Sequence, residues 1–433
     1  MTTRWLGWAL ALTMAAGCGD DSSTGGAGGA GASGAGASGA GGSGASGAAA
    51  GEGGAGGDGG AGATGGAGGE GGAGGAALCA EPAAAYDGQE YTTNAATQLA
   101  LRTQLGAINT AMRAAELDLA VTPTAAELLG LYEAGSPSVR DETTATYDAY
   151  VLDLFDGFEA AAGNVWVPVA PPTGPGGRFG AFIYSADGID LRQGVEKGLF
   201  EAAFYNHAWK IRTGATFGLA ELDQLLAIYG AHPTFPGDSE TTDTMLVPFP
   251  DRVGAQYAER RSPKAIGDTT QPLDPANPGP YFRIKAQFLS AQAAIAAGAA
   301  CDGQRDAALD AILAEWERAI FATVVYYLND AFVKLTSDNP TEATLSAGLH
   351  GYGEAIAFVA GWKGLPADSR VVTDAEIDAL LETLGSPLGG PSTAYELLTD
   401  SATAAPKLID AIDEIAAIYA FSDPEIEAFK VNH

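Results

Sequence analysis

The feature that most restricts the fold is a tract that cannot fold. From Gly19 to Ala77 the chain is almost entirely Gly, Ala and Ser, as in GGAGASGAGASGAGGSGASG, with scattered Asp and Glu and no aromatic residue. Such a stretch buries too little apolar surface to offset the entropy lost on ordering its backbone. It has no strict three-residue period with proline, so a collagen-like helix is not expected either. A flexible spacer is expected, with a root-mean-square reach of roughly 40 to 45 Å for a glycine-rich coil of this length. Any packed core must therefore come from residues 79–433, which suffice for a large one in one helical bundle or two.

The segment ahead of the spacer explains what it would tether. MTTRWLGWALALTMAAG places Arg4 before an apolar run too short to span a bilayer, and the run ends in Ala15, Ala16 and Gly17 directly before Cys18. This resembles the bacterial lipobox, with Ala15 where a leucine is usual. The expectation is a lipoprotein signal peptide over residues 1–17, cleavage before Cys18 and lipidation of its thiol. The protein would then be exported and lipid-anchored in the cell envelope, on the periplasmic face of the outer membrane or at the cell surface, with membrane contact through the anchor alone.

With Cys18 so used, Cys79 and Cys301 remain as one even pair in an oxidising compartment, and a disulfide is expected between them. The formal net charge of -31 is carried mainly by the folded region, because residues 1–78 hold only Arg4 and five acids. Nucleic acid is excluded as a partner, since neutralising phosphates needs clustered Lys and Arg.

From residue 95 onward the apolar spacing is helical. Leu99, Leu105, Ile108 and Met112 recur on one face, and TAAELLGLYEAG opens on a capping threonine. GIDLRQGVEKGLFEAAFYNHAWKI sets Leu191, Val195, Leu199, Ala203 and His207 along one side, with Arg192 and Glu196 as an i,i+4 pair on another. Two proline- and glycine-rich stretches interrupt the pattern. NVWVPVAPPTGPGGRFGAFIY is expected as an extended loop or short hairpin, and residues 231–280 as irregular chain. The fold class is all-α, a helical bundle array with irregular Pro/Gly-rich loops between helices.

Four segments taken in order, GIDLRQGVEKGLFEAAFYNHAW, EWERAIFATVVYYLND, LHGYGEAIAFVAGW and VTDAEIDALLETLG, resemble the bacterial family called domain of unknown function 4856, over roughly residues 85–430. More distantly the chain is similar to imelysin-like envelope proteins. That resemblance implies an all-α exported protein of no established activity, and the first expectation for its role is binding, metal- or iron-related. It leaves as alternatives a metal-dependent peptidase or hydrolase of imelysin type and a structural or adhesion module. Imelysins carry Gly-x-His-x-x-Glu. Here Gly348, Leu349 and His350 fit its first half, but Glu354 follows the histidine by four residues instead of three. Family members also carry His-x-Trp-Asp in an earlier helix, where this chain has AELD and keeps only Asp223.

The residues temper that implication. The helix around AGLHGYGEAIAFVAGW has an apolar stripe of Leu345, Leu349, Tyr352, Ile356 and Val359, and a second stripe of His350, Glu354, Ala357, Phe358 and Gly361. It is expected to be buried all round, so His350 and Glu354 each need a partner. They are the candidate metal ligands, with Glu315, Glu317 or Asp330 as further carboxylates. The bland alternative is a satisfied core pair. No di-iron repeat, zincin motif, nucleophile elbow or phosphate loop accompanies them, so binding is expected in preference to catalysis. His207 is expected in the core or at an interface, and His232 in a loop.

Overall fold

In a computed structural model the described residues are 79–235, 253–264 and 272–433. The expected signal peptide, the Cys18 lipidation site and the spacer lie outside them. Residues Leu78–His433 form one compact unit. It is an all-α helical bundle, and it opens with α1 (Tyr91–Asn94), α2 (Ala96–Leu117), α3 (Ala125–Tyr132), α4 (Val139–Glu142) and α5 (Ala145–Ala161). A two-stranded hairpin follows, β1 (Gly177–Phe179) and β2 (Phe182–Tyr184), then α6 (Leu191–Leu199), a π-helical turn over Phe200–Tyr205 and α7 (Asn206–Arg212). The remainder comprises α8 (Leu219–Tyr229), α9 (Val253–Arg260), α10 (Pro280–Ala297), α11 (Asp302–Leu335), α12 (Glu342–Gly361), α13 (Asp374–Thr383), α14 (Glu396–Thr399), α15 (Ser401–Ala404), α16 (Pro406–Tyr419) and α17 (Asp423–Phe429).

Local chemistry sets several boundaries. Thr124, Ser138 and Thr373 each accept from a backbone N–H one turn on, while Glu127, Asp141 and Glu376 reach back to the cap backbone. These reciprocal capping boxes satisfy N–H groups that a helix start leaves unpaired. The backbone of the bundle is α11, whose 34 residues span about 51 Å at the α-helical rise. It packs against α10, α12, α16 and α9, and α12 in turn packs on α6. Trp316, Phe321, Val324 and Leu328 from α11 meet Tyr352, Phe358 and Trp362 in one continuous apolar core.

The structure departs from the helical expectation in two places. Residues 253–260 are a helix inside a region expected to be irregular. Its Gly254 lies so near Trp316 that a Cβ would fall 2.5 Å from Nε1, so docking on α11 orders a segment whose own sequence is a weak helix signal. The expected continuous helix through GIDLRQGVEKGLFEAAFYNHAWKI instead widens into a π turn at Phe200–Tyr205, which changes the angular spacing beyond Leu199. Of the two alternatives expected for the Pro/Gly-rich stretch, extended loop or short hairpin, residues 177–184 form the hairpin, in register Gly177↔Tyr184, Arg178↔Ile183 and Phe179↔Phe182.

Cys79 and Cys301 are disulfide-bonded, with Cα atoms 5.5 Å apart and a sequence separation of 222. The cross-link clamps the start of the described chain to the turn before α11. Gln304 repeats the clamp with polar bonds, accepting from Ala80 N at 2.9 Å and donating to Ala80 O at 2.8 Å. Cys301→Ser should lower unfolding stability by up to about 5 kcal/mol on the chain-entropy account of a loop this long. Chemical denaturation with and without reductant checks this: a reductant effect in the unaltered protein that persists in the variant would contradict it.

Candidate functional site

The site is built where α6 begins and α12 passes it. Asp190 caps α6, its Oδ1 accepting from Gln193 N at 3.0 Å. Its Oδ2 accepts from His350 Nδ1 on α12 at 2.7 Å. Glycine makes the approach possible, because a Cβ at Gly353 would fall 2.6 Å from the Asp190 Cβ. The carboxylate fixes the imidazole with its proton on Nδ1 and turns Nε2 toward Glu354, whose Oε1 is 4.0 Å away. Phe182 at the hairpin stacks on the imidazole, with ring centroids 3.7 Å apart and planes within 4°. The hairpin is held there by Ser346 on α12, whose Oγ donates to Phe179 O at 2.7 Å and whose carbonyl accepts from Tyr184 Oη at 2.8 Å.

Behind this pair lies an ionic network withdrawn from water. Arg192 donates through Nε to Glu116 Oε2 at 2.8 Å, and through Nη1 to Glu196 Oε2 at 2.6 Å and Asn109 Oδ1 at 3.1 Å. Lys197 Nζ donates to Glu196 Oε1 at 2.8 Å and stands 3.6 Å from Glu354 Oε1. The same ammonium lies 5.4 Å from the centre of the Phe200 ring and 5.6 Å from that of Tyr257. Glu116, Asp190, Arg192, Glu196, Lys197 and Glu354 are all buried, whereas the His350 side chain keeps 17% of its surface exposed. His350 is therefore where the network comes nearest to solvent.

The environment shifts the titrating groups. Burial pushes the Glu116 carboxyl up to about 7 despite Arg192, and its Oε1 has no hydrogen-bond partner among the described residues. Burial acts against the His350 imidazolium, but the hydrogen bond to Asp190 and the charge of Glu354 outweigh it and raise its pKa. Arg192, pressed between Glu116 and Glu196, stays charged.

The i,i+4 pair expected between His350 and Glu354 is thus a loose contact at 4.0 Å, and the close partner of His350 is Asp190 at the start of another helix. The other sequence candidates are dispersed. His207 is in the core as expected, with Nε2 2.9 Å from Gln98 Nε2 and Nδ1 3.0 Å from Glu142 Oε2. His232, expected in a loop, lies in one and accepts at Nδ1 from Thr234 N at 3.2 Å. Asp223 accepts from Tyr86 Oη and Asn94 Nδ2, both at 2.8 Å. Glu315 pairs with Arg283, Asp330 with Lys334, and Glu317 accepts from the backbone of Val371 and Val372 and from Tyr419 Oη. None of these carboxylates bonds to His350.

The donor set at this site does not suit a metal ion. Two protein ligands at about 2.0 to 2.2 Å from a tetrahedral ion sit roughly 3.4 Å apart, closer than Nε2 and Glu354 Oε1. Lys197 already places a positive charge beside that oxygen. Among the described residues no group of three His, Cys, Asp or Glu is arranged to hold an ion. The described residues thus do not by themselves make a metal site.

Glu116, Asp190 and Lys197 were not singled out in the sequence. The run DLRQGVEK signals an acidic cap and charged residues, but alternation of charge on a helix is ordinarily a solvated face. Glu201 was also missed. It is fully buried in the π turn, burial raises its pKa well above the usual carboxyl range, and neither oxygen has a hydrogen-bond partner among the described residues.

Stability should depend on pH through this network. Glu116 titrates near 4.5 when unfolded and near 7 when folded, so its contribution is full below about 4.5 and is lost as pH rises through 7. His350, raised from 6.5, contributes in the same direction, losing its share as pH rises above its folded value. Urea midpoints should fall from pH 4.5 to 8, with a flatter profile in Glu116→Gln; parallel profiles would remove Glu116 from the account. Arg192→Leu, which leaves two buried carboxylates facing an apolar group, should cost about 3 to 5 kcal/mol at neutral pH in the same measurement. Compared with protein-family models, with curated proteins and with solved structures, the chain matches none.

Proposed function

We propose that this protein is an exported, lipid-anchored helical protein of the cell envelope with a binding role, and that His350 is the group that meets its ligand. The observation behind this reading is the imidazole itself. A buried carboxylate orients it, an aromatic ring stacks on it, its Nε2 makes no hydrogen bond among the described residues, and it is the exposed edge of a buried ionic network. Ionisable groups held out of water around one oriented histidine are more common at binding and catalytic sites than in structural cores.

A histidine whose Nδ1–H is held by a carboxylate presents Nε2 as a donor atom, the arrangement that supports metal ligation. Since the described residues supply only Nε2 and a distant Glu354 oxygen, the class of ligand that suits them is a metal complex bringing its own donors. The resemblance to domain of unknown function 4856 and to imelysins belongs to this proposal and points the same way. The hydrolase alternative has less behind it, because among the described residues no activated nucleophile stands beside His350: Ser346 and Tyr184 are engaged in holding the hairpin.

Elemental analysis of protein purified from metal-replete cells tests the reading. Metal near one atom per chain is expected, falling to background in His350→Ala while the thermal midpoint stays within a few degrees. Background metal in the unaltered protein would overturn the metal-complex assignment. For the anchor, Cys18→Ala should move the protein from the membrane fraction to the soluble fraction, and an unchanged distribution would overturn lipidation.

A further inference from the structure

Arg261 is a buried cation with no carboxylate partner among the described residues. It follows α9 directly and is 3% exposed. Arg192 and Arg370 both have carboxylate partners, whereas among the described residues the Arg261 guanidinium bonds only to neutral oxygens. Nη1 donates to the Phe429 carbonyl at the end of α17, and Nη2 donates to the Asn432 side-chain oxygen. Its Nε is buried with no hydrogen-bond partner among the described residues. The Tyr326 ring lies 4.6 Å beneath the guanidinium carbon. Burial depresses its pKa to about 10; Tyr327 and Tyr326 act against the shift and the neighbouring Arg260 adds to it.

The residues that cover it belong to segment 429–433. Beyond Phe429 the segment has no regular structure, Asn432 and His433 are exposed, and His433 N makes a 3.4 Å bond to Arg260 O. Removing a guanidinium from water and pairing it with a carbonyl and an amide recovers only part of its hydration. The planar fork of an arginine matches the two oxygens of a carboxylate or phosphate, and such charge-assisted pairs are roughly twice as strong as bonds to neutral acceptors.

We propose that Arg261 forms the floor of a binding site for an oxyanion, a carboxylate or phosphate group, over which Asn432 and His433 lie as a displaceable cap. The Asn432 oxygen occupies one of the two positions that an oxyanion would take on the fork. Tyr326 supports the guanidinium from below, and the unpartnered Nε is a further donor for the incoming group. The site is separate from His350 and does not depend on the function proposed for it.

The full chain is titrated calorimetrically with inorganic phosphate and, separately, with acetate, at constant ionic strength against chloride. Saturable binding of at least one of them is expected. Asn432→Ala, which removes the competing neutral oxygen, should bind about tenfold more tightly, the equivalent of 1.4 kcal/mol. Arg261→Lys, which keeps the charge and loses the fork, should bind at least about tenfold more weakly. A clamp that only holds the C-terminus predicts the opposite for the cap: Asn432→Ala would lower the thermal midpoint and show no response to either anion. That result, or the lack of saturable binding by both the unaltered protein and Asn432→Ala, overturns the proposal. The unaltered protein is titrated directly, so the test does not depend on whether the Arg261 variant folds.

Discussion

The close crossing of α6 and α12 is the contact on which the centre of this protein depends. Two glycines on α12 permit it. At Gly353 a side chain would collide with Asp190, and at Gly361 a Cβ would fall 2.5 Å from Gly198 O. Gly198 is constrained in turn, because a Cβ there would overlap the hydroxyl of Tyr147, which donates to Gly194 O at 2.6 Å. At this separation the N-cap of one helix can reach a side chain on the other. The same Asp190 carboxylate therefore starts α6 and orients His350.

The charged face of α6 is consequently inside the fold. An i,i+4 pair such as Arg192 and Glu196 is worth a few tenths of a kcal/mol on a solvated helix. Here α2, through Asn109 and Glu116, and α12, through Glu354, complete a network in which each ion needs several partners. Replacing such a network with apolar groups is often neutral or stabilising, so stability alone is a weak reason for its existence. Holding an imidazole oriented at the edge of the fold is a more specific use for it. The apolar core around α11 carries the stability, and it is separately stapled. Glu317 joins α11 to the backbone before α13 and to Tyr419 of α16 through bonds of 2.7 to 2.9 Å.

Sequence pattern reveals an element when local chemistry alone suffices to form it. The capping boxes at Thr124 and Thr373, the long apolar spacing of α11 and the Pro/Gly-rich hairpin are all of that kind. Helix α9 is not, since eight residues form a marginal helix in water and these are held by contact with Trp316. The π turn is not either: FEAAFY has ordinary helical composition, and nothing in its residue types asks for the wider turn that encloses Glu201. At the candidate site, burial of Glu354 could be read from an apolar pattern on both sides of its helix, but the partial exposure of His350 and the identity of its partner could not. Asp190 is 160 residues away, and only the packing of α6 on α12 joins them.

The sequence by itself determined that the fold is all-helical, that Cys79 and Cys301 are available to pair, and that the helix carrying His350 is a buried one. Hydrophobic period, capping residues and cysteine count are properties of neighbours along the chain or of composition. Tertiary structure decided which charges meet. It set Asp190 against His350, drew Arg192 and Lys197 into the interior, and left Arg261 facing neutral oxygens. An ion's partner is fixed by distances of about 3 Å between helices that are remote in sequence, and no local pattern specifies that separation.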